Sequence, residues 1–182
     1  MALLYITKKE MTGYLKLINT ELKRLGMRGE ILIAGGASMC LAFSARDATK
    51  DIDAIYEPKN VINEIAARIA EKKNLPKSWL NDSVKGFMNK NALKNKILIN
   101  DFSNLMIFTV MPDYLLAMKL ISSRMDTDVD KKDIIFLMKH LRIDTMEKAL
   151  KILDDTFPAG LILPKTKYMI EEGLDEMEKP HD

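Results

Sequence analysis

Two aspartates separated by one apolar residue, Asp51-Ile52-Asp53, are the residues of this chain best suited to chemistry. Alternate residues of a strand face the same way, so on a strand both carboxylates project to one side while Ile52 packs inward. Such a pair suits magnesium, a hard cation that takes oxygen ligands and keeps positions open for phosphate oxygens. About a dozen residues upstream stands Gly35-Gly36-Ala37-Ser38. Two residues without side chains let backbone amides approach a phosphate closely. A helix starting there would add free amides and a positive dipole end, and Ser38 would add a hydroxyl donor. Arg46 and Lys50, between the two motifs, are placed to neutralise phosphate charge. A metal-binding pair beside an anion cradle is the equipment of phosphoryl and nucleotidyl transfer. Either motif alone is common: Asp-x-Asp is usually a solvated strand end, and most glycine turns only punctuate structure. Their order and spacing give the combination its meaning.

The elements that would hold these residues can be read outward from them. Glu30 to Ala34 is a short apolar run that suits a buried strand, Ala37 to Phe43 a short helix, and Ile52 to Tyr56 a second strand. Thr7-Lys8-Lys9-Glu10 reads as a capping box opening a helix with Leu15, Ile18, Leu22 and Leu25 on one face and Gly26 as its stop. Pro58 sits at the first turn of a helix carrying Ile62, Ile65, Ala66 and Ile69. A short helix is expected around Trp79 to Phe87, then a loop, then strands over Lys96 to Asn100 and Leu105 to Val110. From Pro112 onward helical periodicity takes over, with breaks near Asp126, Ile143, Pro158 and Gly173 and a polar tail. The expectation is an α+β fold: a mixed sheet with flanking helices over residues 1–111, followed by a helical region over 112–182 packed on it.

Composition sets the outer bounds. The chain has 182 residues, 47% of them hydrophobic and 30% charged, enough apolar material for a core. A formal charge of +2 does not announce a nucleic-acid binder. No apolar run reaches membrane-spanning length, and the N-terminus lacks the basic leader of a signal peptide. The single cysteine, Cys40, excludes an internal disulfide and suits a reducing cytoplasm. The 13 methionines read as core gap-fillers. Trp79 reads as a packing anchor and Cys40 as buried. His140 and His181 lack partners at metal-ligand spacing. Asp126, Asp128 and Asp130 lack the glycine and terminal glutamate of a calcium loop and read as a solvated helix start. A P-loop kinase is poorly supported because no Gly-Lys-Ser/Thr follows the glycine turn.

The string Gly35-Gly36-Ala37-Ser38…Arg46…Thr49-Lys50-Asp51-Ile52-Asp53 resembles the signature of the DNA polymerase β-type nucleotidyltransferase superfamily. It is most similar to a bacterial branch holding the nucleotidyltransferase-like toxins of abortive-infection (AbiE-type) toxin–antitoxin systems. Pro112 to Leu120, followed by Arg124 and an acidic cluster to Asp133-Ile134, resembles the same branch, as does Leu75 to Asp82. The resemblance implies magnesium-dependent binding of a nucleoside triphosphate and transfer of a nucleotidyl group to an RNA, protein or small acceptor, with an antitoxin protein as a partner. It implies that Gly36 and Ser38 contact phosphate, that Asp51 and Asp53 bind metal, and that Lys119 reaches the triphosphate. Many active members carry a third carboxylate on a later strand, and Leu105 to Val110 contains none. Asp101 is the nearest candidate on the sheet, with Asp130 and Asp133 as alternatives in the helical half. The rival expectation is a catalytically silent nucleotide-binding or protein-interaction module on the same fold.

Overall fold

A computed structural model describes residues 5–122, 128–158 and 161–179. The expected break near Asp126, Arg124 of the resemblance, and the tail with His181 lie outside the described residues. The chain divides into two compact units, one up to Val110 and one from Met111 onward. The architecture is α+β, with a mixed sheet in the first unit and, among the described residues, helices alone in the second.

In the first unit, β1 (Ile6–Thr7) leads directly into α1 (Lys8–Arg24). Thr7 caps the helix by accepting from the Glu10 amide, and the Glu10 carboxylate accepts from the Thr7 amide. These reciprocal bonds satisfy two amides that have no partner inside the helix. Met11, Leu15, Ile18 and Leu22 form its buried stripe, while Leu25 caps the end and is exposed. Gly26, at a φ of +66°, turns the chain out of the helix. Next come β2 (Gly29–Ile33), α2 (Gly35–Leu41), β3 (Ala48–Thr49), β4 (Ile52–Glu57) and α3 (Lys59–Lys73). The region expected to be one short helix around Trp79 is instead β5 (Leu80–Asn81) and a 3-10 turn over Ser83–Phe87. Where a loop was expected, α4 (Lys90–Lys94) follows, with Asn89 capping it. The unit closes with β6 (Lys96–Asp101) and β7 (Leu105–Val110).

The five-stranded sheet has the order β5-β4-β2-β7-β6. The strand β2 pairs antiparallel with β4 and parallel with β7, so its neighbours place Ala54 and Thr109 beside Ile33. One sheet face, carrying Ile31, Ile33, Ile52, Ala54, Tyr56 and Ile107, packs into a core with the apolar stripes of α1 and α3. Trp79 anchors this core: its Nε1 donates to the Ala66 carbonyl at 3.0 Å and its ring meets Tyr14 edge-on. Cys40 is buried in the same core. A separate two-stranded ladder joins β1 to β3, pairing Ile6 with Thr49.

In the second unit, α5 (Pro112–Ser122), α6 (Asp128–Leu141), α7 (Met146–Thr156) and α8 (Pro164–Glu178) pack together. The side chain of Thr145 caps α7 by accepting from the Lys148 amide. The expected break at Gly173 is absent, and α8 runs through it. A β-carbon there would stand 2.9 Å from Met138 Sδ, so this glycine serves the close approach of α6 and α8. No helix among the described residues is long and apolar enough to cross a membrane.

Candidate functional site

The site is assembled where β2 ends and β4 begins. The amide of Ala34 donates to the Asp53 carbonyl at 2.9 Å, locking the end of β2 to the start of β4. The helix α2 begins at Gly35 itself, two residues earlier than the apolar pattern indicated. Gly35 takes a φ of +57°, the left-handed region that L side chains avoid. A β-carbon on Gly35 would also stand 3.2 Å from Asp53 Oδ2. The carboxylate therefore lies directly against the glycine turn.

The second glycine is constrained from another side. A β-carbon on Gly36 would overlap Thr49 Oγ1 and stand 3.1 Å from Arg46 Nη1. Thr49 belongs to β3, which is held by its ladder to β1, so the N-terminal strand buttresses the turn. Arg46 is thereby brought to the glycine pair, and Lys50 lies exposed beside Asp51. Ser38 sits differently from the expectation of an open phosphate contact. Its side chain is fully buried, and its Oγ accepts from Thr109 Oγ1 at 2.8 Å, tying α2 to β7.

Asp51 lies immediately before β4 and Asp53 within it; both are partly buried. Burial, followed by the charge of Asp53, pushes the Asp51 carboxyl above its ordinary value, against weaker pulls from Lys50 and Asn81. A carboxylate whose charge is opposed by burial and by a neighbouring carboxylate is a poor arrangement for a bare protein and a good one for a cation. Among the described residues no cluster of three or more metal-ligating side chains occurs.

Two further residues join the site that the sequence reading did not single out. The strand β5 pairs in parallel with β4 and sets Asn81 beside Asp53. The hydroxyl of Ser83 lies 2.9 Å from Asp53 Oδ1, and Asn81 Nδ2 lies 3.5 Å from Asp51 Oδ2. The available signal was the polar run Asn81-Asp82-Ser83 after a buried Trp79, which reads as an ordinary turn.

Asp101 is not brought to the pair. It is in register with Met106, which is in register with Glu30 and, through it, Glu57. That level lies four residues along β4 from Asp53, about 13 Å away at the rise of a strand. On β7 the positions sharing the Asp53 face are Met106, Phe108 and Val110, none of them acidic. In the helical unit, Lys119 is buried, and its Nζ lies 2.6 Å from Asp133 Oδ2 and 3.1 Å from Asp130 Oδ1. Both carboxylates belong to α6.

A family model described as a nucleotidyltransferase of unknown function (DUF6036) matches residues 13–158, about four fifths of the chain. No curated protein and no solved structure gives a significant match.

Proposed function

We propose, for a chain that belongs to this family of nucleotidyltransferases of unknown function, that the Asp51–Asp53 pair and the Gly35–Gly36 turn bind a nucleoside triphosphate with magnesium. The observation that carries the reading is the seat of Asp53 Oδ2 against Gly35, with Asp51 adjoining. Asp51 and Asp53 would hold the cation. Magnesium held there would supply charge neutralisation and polarise the phosphorus under attack. The turn would receive phosphate oxygens on its amides, and Arg46 and Lys50 would offset their charge. In the transfer itself an acceptor hydroxyl oxygen bonds to the α-phosphorus, the bond to the β-phosphate breaks, and pyrophosphate leaves. The hydroxyl proton passes to a base.

The face of the sheet that carries Asp53 supports binding more strongly than it supports transfer. With Met106, Phe108 and Val110 on β7, that strand offers no third carboxylate. This favours a second reading, a nucleotide-binding module that does not itself transfer. The assignment to bacterial abortive-infection (AbiE-type) toxins, acting in the cytoplasm on an RNA, protein or small acceptor and restrained by an antitoxin, belongs to the same proposal. It is supported by the resemblance of Gly35 to Asp53 and of Pro112 to Leu120.

Calorimetric titration of the four ribonucleoside triphosphates, with and without magnesium, tests the site. Wild type should bind at least one of them only with magnesium, and the Asp51→Asn/Asp53→Asn variant should not bind while remaining folded. Equal affinity in the variant overturns the assignment.

A further inference from the structure

We propose that Ser83 is a positioning residue of this site, orienting Asp53 for a divalent cation, with Asn81 linking it to Asp51. The proposal rests on the reading of Asp51 and Asp53 as the cation-binding pair and assigns the residue that holds one of them in place.

Asp53 has two oxygens with different surroundings. Oδ1 lies 2.9 Å from the Ser83 hydroxyl, whereas Oδ2 lies against Gly35. A hydrogen bond at Oδ1 fixes the rotation of the carboxylate and leaves Oδ2 turned toward the glycine turn, where a phosphate-bound cation would stand. Asn81 is itself fixed. Its Oδ1 accepts from the Ser83 amide at 3.0 Å, and its Nδ2 donates to the Ser78 carbonyl at 3.2 Å and reaches Asp51 Oδ2 at 3.5 Å. The chain Asp51–Asn81–Ser83–Asp53 therefore connects the two carboxylates through side chains of one short strand and turn.

The Ser83 hydroxyl has one proton and two acceptors in reach, Asp53 Oδ1 at 2.9 Å and Asn81 Oδ1 at 2.5 Å. An ionised carboxylate is the stronger acceptor when nothing neutralises it. Donated to Asp53, that proton holds Oδ1 in place while Oδ2 remains open to a cation. Groups that orient a metal ligand in this way commonly control cation affinity although they do not touch the ion.

The test is titration of the full chain with Mn²⁺ alone, followed by the loss of its free-ion paramagnetic resonance signal. Ser83→Ala should weaken Mn²⁺ binding about tenfold, Ser83→Thr should keep it within about twofold because the hydroxyl is retained, and Asp51→Asn/Asp53→Asn should abolish it. The melting temperature of Ser83→Ala should stay at that of wild type, since Ser83 is exposed. If the double aspartate variant loses Mn²⁺ while Ser83→Ala binds as wild type does, the role of Ser83 is overturned and the cation site stands. Equal weakening in Ser83→Ala and Ser83→Thr overturns the role of the hydroxyl. Wild-type binding by the double aspartate variant overturns the cation site and this inference with it.

Discussion

Asp53 Oδ2 lies 3.2 Å from the point where a β-carbon on Gly35 would stand, and Gly35 already occupies the left-handed region at a φ of +57°. Gly35→Ala should therefore cost about 1 to 2 kcal/mol of stability from backbone conformation alone and should crowd the carboxylate. Urea denaturation reads the first effect, and magnesium-dependent triphosphate binding, expected to be lost, reads the second. Gly36→Ala acts through a different neighbour, because its new methyl would overlap Thr49 Oγ1. Adding Thr49→Ala to Gly36→Ala should restore part of the lost stability, whereas adding it to Gly35→Ala should not.

The raised Asp51 carboxyl gives the cation-free protein a pH dependence with a definite sign. Its folded-state value lies above the ordinary 3.8 because burial, and then Asp53, disfavour the ionised form. Between those two values the native state holds the proton more firmly than the unfolded chain, so stability falls as pH rises through the window. The penalty is fully present at neutral pH. Asp51→Asn should then raise the melting temperature in chelator-treated buffer at pH 7 by about 1 to 3 °C, a modest change because the group is partly solvated. At a pH below 3.8 the advantage should vanish. An equal gain at both pH values would show that the amide stabilises by some other route.

Lys119 is expected to contribute first to folding. It is 7% exposed, and Asp133, 2.6 Å away, is 2% exposed. Removing the lysine takes a counter-charge away from a buried carboxylate, a change that costs about 3 to 5 kcal/mol in comparable settings. Lys119→Met should show a loss of that size by chemical denaturation, and Lys119→Met with Asp133→Leu should recover most of it. Were the triphosphate its main partner, Lys119→Met would weaken nucleotide binding while leaving the denaturation midpoint nearly unchanged.

The parts of this protein legible in the sequence are those decided by neighbours along the chain. The Thr7/Glu10 cap, the stripe Leu15-Ile18-Leu22, the strand before Gly35 and the Ile52–Tyr56 strand all follow from local pattern, and each is present. What escaped was set by pairing at a distance. Ile6–Thr7 and Ala48–Thr49 are too short to show alternation and are strands only because they meet each other. Leu80–Asn81 is a strand because Ile52 and Asp53 pair with it. The end of the sheet at which Asp101 falls depends on the antiparallel return of β6 along β7, which no spacing in the chain records. Gly173 reads as a helix stop by residue type, yet the nearness of Met138 makes it a contact point inside a continuous helix.

The β1–β3 ladder has a practical consequence for anyone trimming this chain. The family match begins at residue 13, which invites a cut there. Ile6 is 1% exposed and pairs with Thr49, whose hydroxyl presses on Gly36. A fragment starting at residue 13 would forfeit the helix cap, half of that ladder and the backing of the glycine turn together. The working boundary for expression therefore lies no later than Tyr5.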